Sequence, residues 1–134
     1  MAWKRTDGLA GTGLLQSREE WSNRNDVLSR TLSQLINDNV QENALRGLDL
    51  GCQTGDPVDM LARQTQLTWY GVDPKIKEET LSPKGIRLFH GSAERIPFPD
   101  SYFDCVVLAN VYEHILPELY TASLAEIQRV LKRD

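Results

Sequence analysis

Four short segments of this chain place small and acidic residues where apolar runs end, and these are the positions that could do chemistry. They are Asp49-Leu50-Gly51-Cys52-Gln53-Thr54-Gly55, Asp73-Pro74, Gly91-Ser92-Ala93-Glu94 and Asn110-Val111-Tyr112-Glu113-His114. The first is a glycine-bearing loop, the usual device for bringing backbone close to a nucleotide. A phosphate-binding loop needs G-x-x-x-x-G-K-[ST], but Asp56 stands where its second glycine belongs and no lysine follows. A dinucleotide loop needs G-x-G-x-x-G, and Gln53 and Asp56 occupy its second and third glycine positions. An acid at that helix mouth also repels a pyrophosphate. What remains is D-x-G-x-x-x-G, suited to a ligand without phosphate. Asp73 lies 22 residues after Gly51, close to the ~20-residue interval at which an acid meets ribose hydroxyls in βαβ nucleotide sites. One carboxylate can accept hydrogen bonds from both hydroxyls of a ribose. A nucleoside without phosphate, held in a glycine loop, points to S-adenosylmethionine.

Each of these residues has a plainer reading. Gly51 and Gly55 could serve only as turn glycines, Asp73 as a helix N-cap, and 92–94 as ordinary loop; ligand contact is favoured for the glycines and for Asp73. His114 is the one candidate general base near the fourth segment, with a titration range suited to taking a proton from a hydroxyl or amine. A structural histidine beside Glu113 competes with that role and is preferred. His90 ends an apolar run and reads as structural. Cys52 and Cys105 lack metal-ligand spacing, and on adjacent parallel strands they fall near opposite ends, too far apart to bridge. The two histidines are not spaced as ligands either, so no metal site is expected. Trp69, Tyr70 and Phe103 read as core.

The elements that must position these residues follow from the apolar pattern. Residues 1–16 form an irregular lead-in. Ser17 and Glu20 make a capping box, and Trp21, Leu28, Leu32, Leu35, Ile36 and Val40 recur at helical spacing to give a helix over 17–40. Strands are expected at 45–50, 67–72, 86–90 and 103–109. Asp56-Pro57 opens a helix, with Asp56 as its N-cap. A short charged helix is expected at 75–81, a loop at 94–101 with a turn of helix before it, and a final helix from Pro117 carrying Tyr120, Leu124, Ile127 and Leu131. Strands alternating with helices predict a parallel sheet covered on both faces. The run FDCVVLA at 103–109 is the most apolar and should be a central strand, yet no strand remains to pair with its far edge. That edge predicts a second copy or a partner chain lying over 103–109, and suggests a chain cut short.

Composition narrows the class. The 134 residues carry 15 Lys+Arg against 19 Asp+Glu, and 40% are hydrophobic, which suits a single soluble domain, 1–134. The net charge of -4 with scattered basic residues offers no track for a nucleic-acid backbone. No run reaches the ~20 apolar residues of a membrane span, and the first residues lack a signal-peptide core, so the cytoplasm is expected.

With these residues in view, LDLGCQTG (48–55), YGVDP (70–74), GSAERIPFPDSYFDCVV (91–107) and EIQRVLKRD (126–134) resemble, in order, the motifs of class I S-adenosylmethionine-dependent methyltransferases, and most closely their type 11 small-molecule branch. The resemblance spans residues 20–134. It implies an incomplete Rossmann-like α/β fold, the cofactor S-adenosylmethionine, and a small-molecule methyl acceptor. It also implies that Asp49 orients the loop and the amino end of the methionine moiety, and that Gly51, Cys52, Gln53 and Gly55 line the cofactor. Asp73 would hold the ribose, Pro74 would lie on the adenine with Ser92, Ala93 and Glu94 along its edge, and Asn110 would bring a carbonyl near the sulfonium. Two departures stand out. Gln53 replaces a glycine, which should push the loop outward or weaken binding, and Ser92 replaces an aspartate that would accept from the adenine amino group. A non-catalytic binding or partner subunit, or an inactive fragment, is the alternative reading.

Overall fold

The computed structural model describes residues 18–109, 111 and 114–133, with side chains from residue 27 onward. Alternating apolar residues build the centre of the molecule. β1 (Arg46–Leu50), β2 (Thr68–Asp73), β4 (Arg87–His90) and β5 (Cys105–Val107) are parallel, and a two-residue β3 (Thr80–Leu81) pairs antiparallel with β4. The sheet order is β3-β4-β2-β1-β5. From β1 the chain builds outward to β2 and β4 on one side, and then returns to place β5 on the other. The order therefore reverses between β1 and β5, and a crevice at the carboxyl ends of the strands is expected there.

Strand alternation divides the core into two faces. Trp69, Leu88 and Val107 point to one face, where they meet Ile36 of α1 (Arg18–Asn39) and Val58 and Leu61 of α2 (Asp56–Gln64). Leu48, Leu50, Val72 and Phe103 point to the other, against Val130 of α3 (Tyr120–Val130). Gly47 is required because the Trp69 ring lies over it: an added Cβ would fall 2.7 Å from the ring. The Trp69 indole N–H donates to Thr65 Oγ1 at 2.8 Å, so the polar end of this buried ring is satisfied.

Several expectations change in detail. The helix expected over 75–81 does not form. That stretch turns and then extends into β3, where the Arg87 guanidinium pairs with Glu79 at 2.7 Å across the hairpin. Gly55, not Asp56, caps α2; it is left-handed at φ 97°, which puts Asp56 and Pro57 inside the first turn. The helix expected from Pro117 begins as a 3-10 turn at Pro117–Leu119. Before the 94–101 loop there is no helical turn but a tight bend in which Ser92 and Arg95 exchange backbone hydrogen bonds. Only 105–107 of the 103–109 run is strand, and it lies at the sheet edge rather than the centre, pairing with β1; the far edge is not left wholly open, because the chain after α3 bridges Phe103 through Leu131. On α1 the buried positions are Ser29, Ser33 and Ile36, while Leu35 is exposed. Leu35 instead borders a groove of about 380 Å³ between α1 and the β5 edge. Ser17 and its capping role lie outside the described residues. Among the described residues no helix is long and apolar enough to cross a membrane.

Candidate functional site

The carboxyl ends of β1 and β2 set two acids side by side. Asp49 is opposite Gly71 on β2 and Val107 on β5, and it is almost wholly buried, with a relative exposure of 4%. Its Oδ2 has no hydrogen-bond partner. Burial, with the negative charge of Asp73 adding to it, pushes the Asp49 carboxyl up to about 7. The chain then turns sharply. Gly51 (φ 85°), Gln53 (φ 53°) and Gly55 (φ 97°) all occupy the left-handed region. The turn is tied back to β2: the N–H groups of Gly51 and Cys52 both donate to the Val72 carbonyl, at 2.7 and 3.2 Å.

Gly51 has a steric reason as well as a conformational one, since an added Cβ would collide with a methyl of Val111. Gly55 sits equally close to Ser82. Gln53 takes a conformation that favours glycine, and its exposed side chain leaves the turn in place while its N–H donates to Asp73 Oδ2 at 2.9 Å. Cys52 is buried, with its sulfur filling the space that the missing side chain of Gly71 leaves open. Burial and the charges of Asp49 and Asp73 push its thiol up. It is packing rather than a nucleophile.

Asp73 is the pivot of the second loop. Its Oδ1 accepts from the Lys75 N–H at 2.8 Å, and its own carbonyl accepts from Ile76 and Gly91. Each carboxylate oxygen thus holds one backbone donor and keeps a lone pair for another. Pro74 is exposed beside it. His90, opposite Asp73 in register, bonds the Ile76 carbonyl through Nδ1 at 2.7 Å and so holds the loop after Pro74. On the third segment Ala93 is buried, and Ser92 and Glu94 are half-buried. Asp49, Gly51, Cys52, Gln53, Gly55, Asp73, Pro74, Ser92, Ala93 and Glu94 therefore gather at the carboxyl ends of β1, β2 and β4. His114 follows β5 in a helical turn, its N–H on the Val111 carbonyl, and is half-buried. Asn110 lies outside the described residues. Cys52 and Cys105 are both free.

Sequence reading missed three contributors. Val111 covers Gly51. Asp59 of α2 accepts from the Ser82 hydroxyl and the Lys84 N–H, which fixes the hairpin against Gly55. Glu126 and Arg129 of α3 hold the loop after Glu94: Glu126 Oε2 accepts from the Ile96 N–H, and the Arg129 guanidinium donates to the carbonyls of Ile96 and Phe98 and to Asp100. Only the last had a sequence signal, the motif at 126–134.

A mostly parallel sheet whose order reverses beside a glycine turn, with an acid ending the neighbouring strand, makes this a Rossmann-like α/β domain. A family model described as a methyltransferase domain matches residues 48–134. The chain belongs to that family. It is 33% identical over 119 residues to a demethylmenaquinone methyltransferase of Geobacillus kaustophilus, a match covering 81% of this chain and 47% of the relative. Its fold is similar to that of the PH0226 protein of Pyrococcus horikoshii, with a TM-score of 0.65, 22% identity, and coverage of 88% of this chain and 52% of that one. It is similar, too, to 1,6-didemethyltoxoflavin-N1-methyltransferase of Burkholderia thailandensis, a structure with 1,6-didemethyltoxoflavin and S-adenosylhomocysteine bound; there the TM-score is 0.63, the identity 20%, and the coverage 87% and 52%. At such identities the likeness is one of fold. The chain spans about half the length of these proteins.

Proposed function

We propose that this chain forms the cofactor-binding part of an S-adenosylmethionine-dependent methyltransferase acting on a small molecule. The observation that carries the reading is the pair of buried acids at the ends of β1 and β2 with a left-handed turn between them. These residues fit the cofactor. The orphaned oxygen of Asp49 is an acceptor awaiting a cation, and the methionine ammonium is one. The free lone pairs of Asp73 suit ribose hydroxyls. Gly51 and Gly55 keep the turn bare, Cys52 and Gln53 complete it, and Pro74 with Ser92, Ala93 and Glu94 frames the adenine. Asn110 would supply a carbonyl near the sulfonium.

The chemistry supplied with this cofactor is an electrophilic methyl group, open to in-line displacement by an oxygen, nitrogen, carbon or sulfur nucleophile. Because the leaving thioether is neutral, holding the two partners in line does most of the work. A base is needed only where the nucleophile sheds a proton, and His114 is the candidate for that step. The acceptor class to try first is a small aromatic or heteroaromatic ring, since the Geobacillus relative is named for demethylmenaquinone and the Burkholderia neighbour holds a didemethyltoxoflavin.

Calorimetric titration with S-adenosylmethionine and S-adenosylhomocysteine, with NAD as control, tests this directly. Micromolar binding of both adenosyl ligands that Asp73→Ala abolishes is expected. A folded protein that binds neither, or that prefers NAD, would overturn it.

A further inference from the structure

The proposed ligand contacts leave one property of the site unused. Asp49 and Asp73 both reach the carboxyl edge of the sheet, but they are provided for unequally. Asp73 holds a backbone N–H on each oxygen, from Gln53 and Lys75. Asp49, almost fully buried, has an oxygen with no donor at all. Among the described residues, the groups around it offer no positive charge. β2 contributes the carboxylate of Asp73, the turn after β1 contributes the neutral Cys52 thiol, and β5 sets Val107 opposite. On α2 the carboxylate of Asp59 is already engaged by Ser82 and Lys84. A buried acid beside another acid, with one oxygen lacking any donor, keeps its proton well above the pH at which a free carboxyl loses it, and a cation set against it drives the proton off.

We propose that binding of an ammonium-bearing adenosyl ligand expels a proton from Asp49, so that the site selects its ligand by charge and binds it more tightly as pH rises through neutrality. The inference rests on the cofactor reading above. The balance is simple: the Asp49 O–H bond breaks, the proton leaves to solvent, and the carboxylate takes the ligand ammonium as its partner. Because burial holds this carboxyl near 7 in the free chain, about half of the molecules carry the proton at neutral pH. Binding at pH 7 then releases about half a proton, nearly one at pH 6 and almost none at pH 8. Affinity follows the ionised fraction, so Kd at pH 6 should be roughly tenfold weaker than its limit above pH 8.

Calorimetry of S-adenosylhomocysteine binding at pH 6, 7 and 8, in phosphate and in Tris, counts the protons from the difference in apparent enthalpy between buffers. 5′-Methylthioadenosine, which has the nucleoside but no ammonium, serves as the uncharged probe. The expected result is proton release with S-adenosylhomocysteine, none with methylthioadenosine, and a flat affinity profile with no release in Asp49→Asn. The wild-type buffer comparison stands alone should that variant fold poorly. Binding of S-adenosylhomocysteine with no buffer dependence, or with release that persists in folded Asp49→Asn, overturns the inference and leaves the cofactor reading intact. Binding of neither adenosyl ligand overturns both.

Discussion

Replacing Asp49 by asparagine should make the protein more stable, by about 1.5 kcal/mol at pH 5 and by about 4 kcal/mol at pH 8. The side chain is almost wholly buried, and burial raises its carboxyl from 3.8 to about 7. The folded chain keeps the proton up to about pH 7, while the unfolded chain releases it near 3.8. Unfolding between these values therefore releases a proton, and stability falls as pH rises through that window, levelling off above it. A separation of about three units corresponds to about 4 kcal/mol over the whole window, of which about 3 kcal/mol falls between pH 5 and pH 8. Asparagine matches the protonated acid in size and has no proton to lose, so the Asp49→Asn variant should lead the wild type by about 1.5 kcal/mol at pH 5, and the gap should widen by about a further 2–3 kcal/mol by pH 8. All other titrating groups are shared and cancel in the difference. Urea unfolding of both proteins at pH 5, 6, 7 and 8 measures it. Curves that stay parallel across the series would refute the reasoning, because they would show that Asp49 is already ionised at pH 5.

Other perturbations test the supports of the site. Gly51→Ala should cost about 2–4 kcal/mol, combining a left-handed alanine with overlap on Val111; Val111→Ala should recover part of it, and strict additivity in a double-mutant cycle would show that the two do not touch. Asp59→Ala strands the Ser82 hydroxyl and the Lys84 N–H, for an expected loss of about 2–3 kcal/mol by thermal melting; a change below about 0.5 kcal/mol would mean that the hairpin holds itself. Arg129→Ala should lower stability by about 1–3 kcal/mol and speed amide exchange at Phe98 and Ser101, whereas unchanged exchange there would remove Arg129 from the loop's support. The Arg129 guanidinium holds the Glu126 carboxyl below its usual range, so this contribution is present at neutral pH and lost as pH falls below the ordinary carboxylate range and Glu126 takes up its proton. Glu126→Gln should flatten that acid limb, and an identical acid limb in the two proteins would sink the assignment.

The strand-helix alternation and the three loop segments at the strand ends could be read from the chain because their signals are local. Apolar runs stop at Gly51, Asp73 and Gly91, and glycine or proline marks each turn. Strand ends were legible to about a residue for β1, β2 and β4. The misreadings come from competition that only the folded chain decides. Lys75 to Leu81 has helix-forming composition, but Glu79 finds Arg87 on β4, and Gly85 at φ 89° closes the hairpin instead. Spacing on α1 favoured Leu35 over Ser29 and Ser33, yet the small residues are the buried ones where α1 meets α2. Apolarity placed the 103–109 run at the centre, although pairing is a property of the other strands available and not of the run itself. Gln53 also shows a feature that its residue type does not announce. Its backbone adopts the left-handed conformation that favours glycine, and no propensity at a single position announces that.

The turn after β1 has one further consequence. Two successive amides, those of Gly51 and Cys52, rest on the same carbonyl of β2, and a third, that of Gln53, rests on the acid that ends that strand. The loop that would hold a ligand is thus continuous with the hydrogen bonding of the sheet, and it cannot open without unzipping the end of β2. Its shape is set when the domain folds, so little ordering remains to be done when a ligand arrives. For the same reason folding and recognition share their weak points. A substitution that frays β2 far from any ligand should register first as lost affinity, well before the domain as a whole melts.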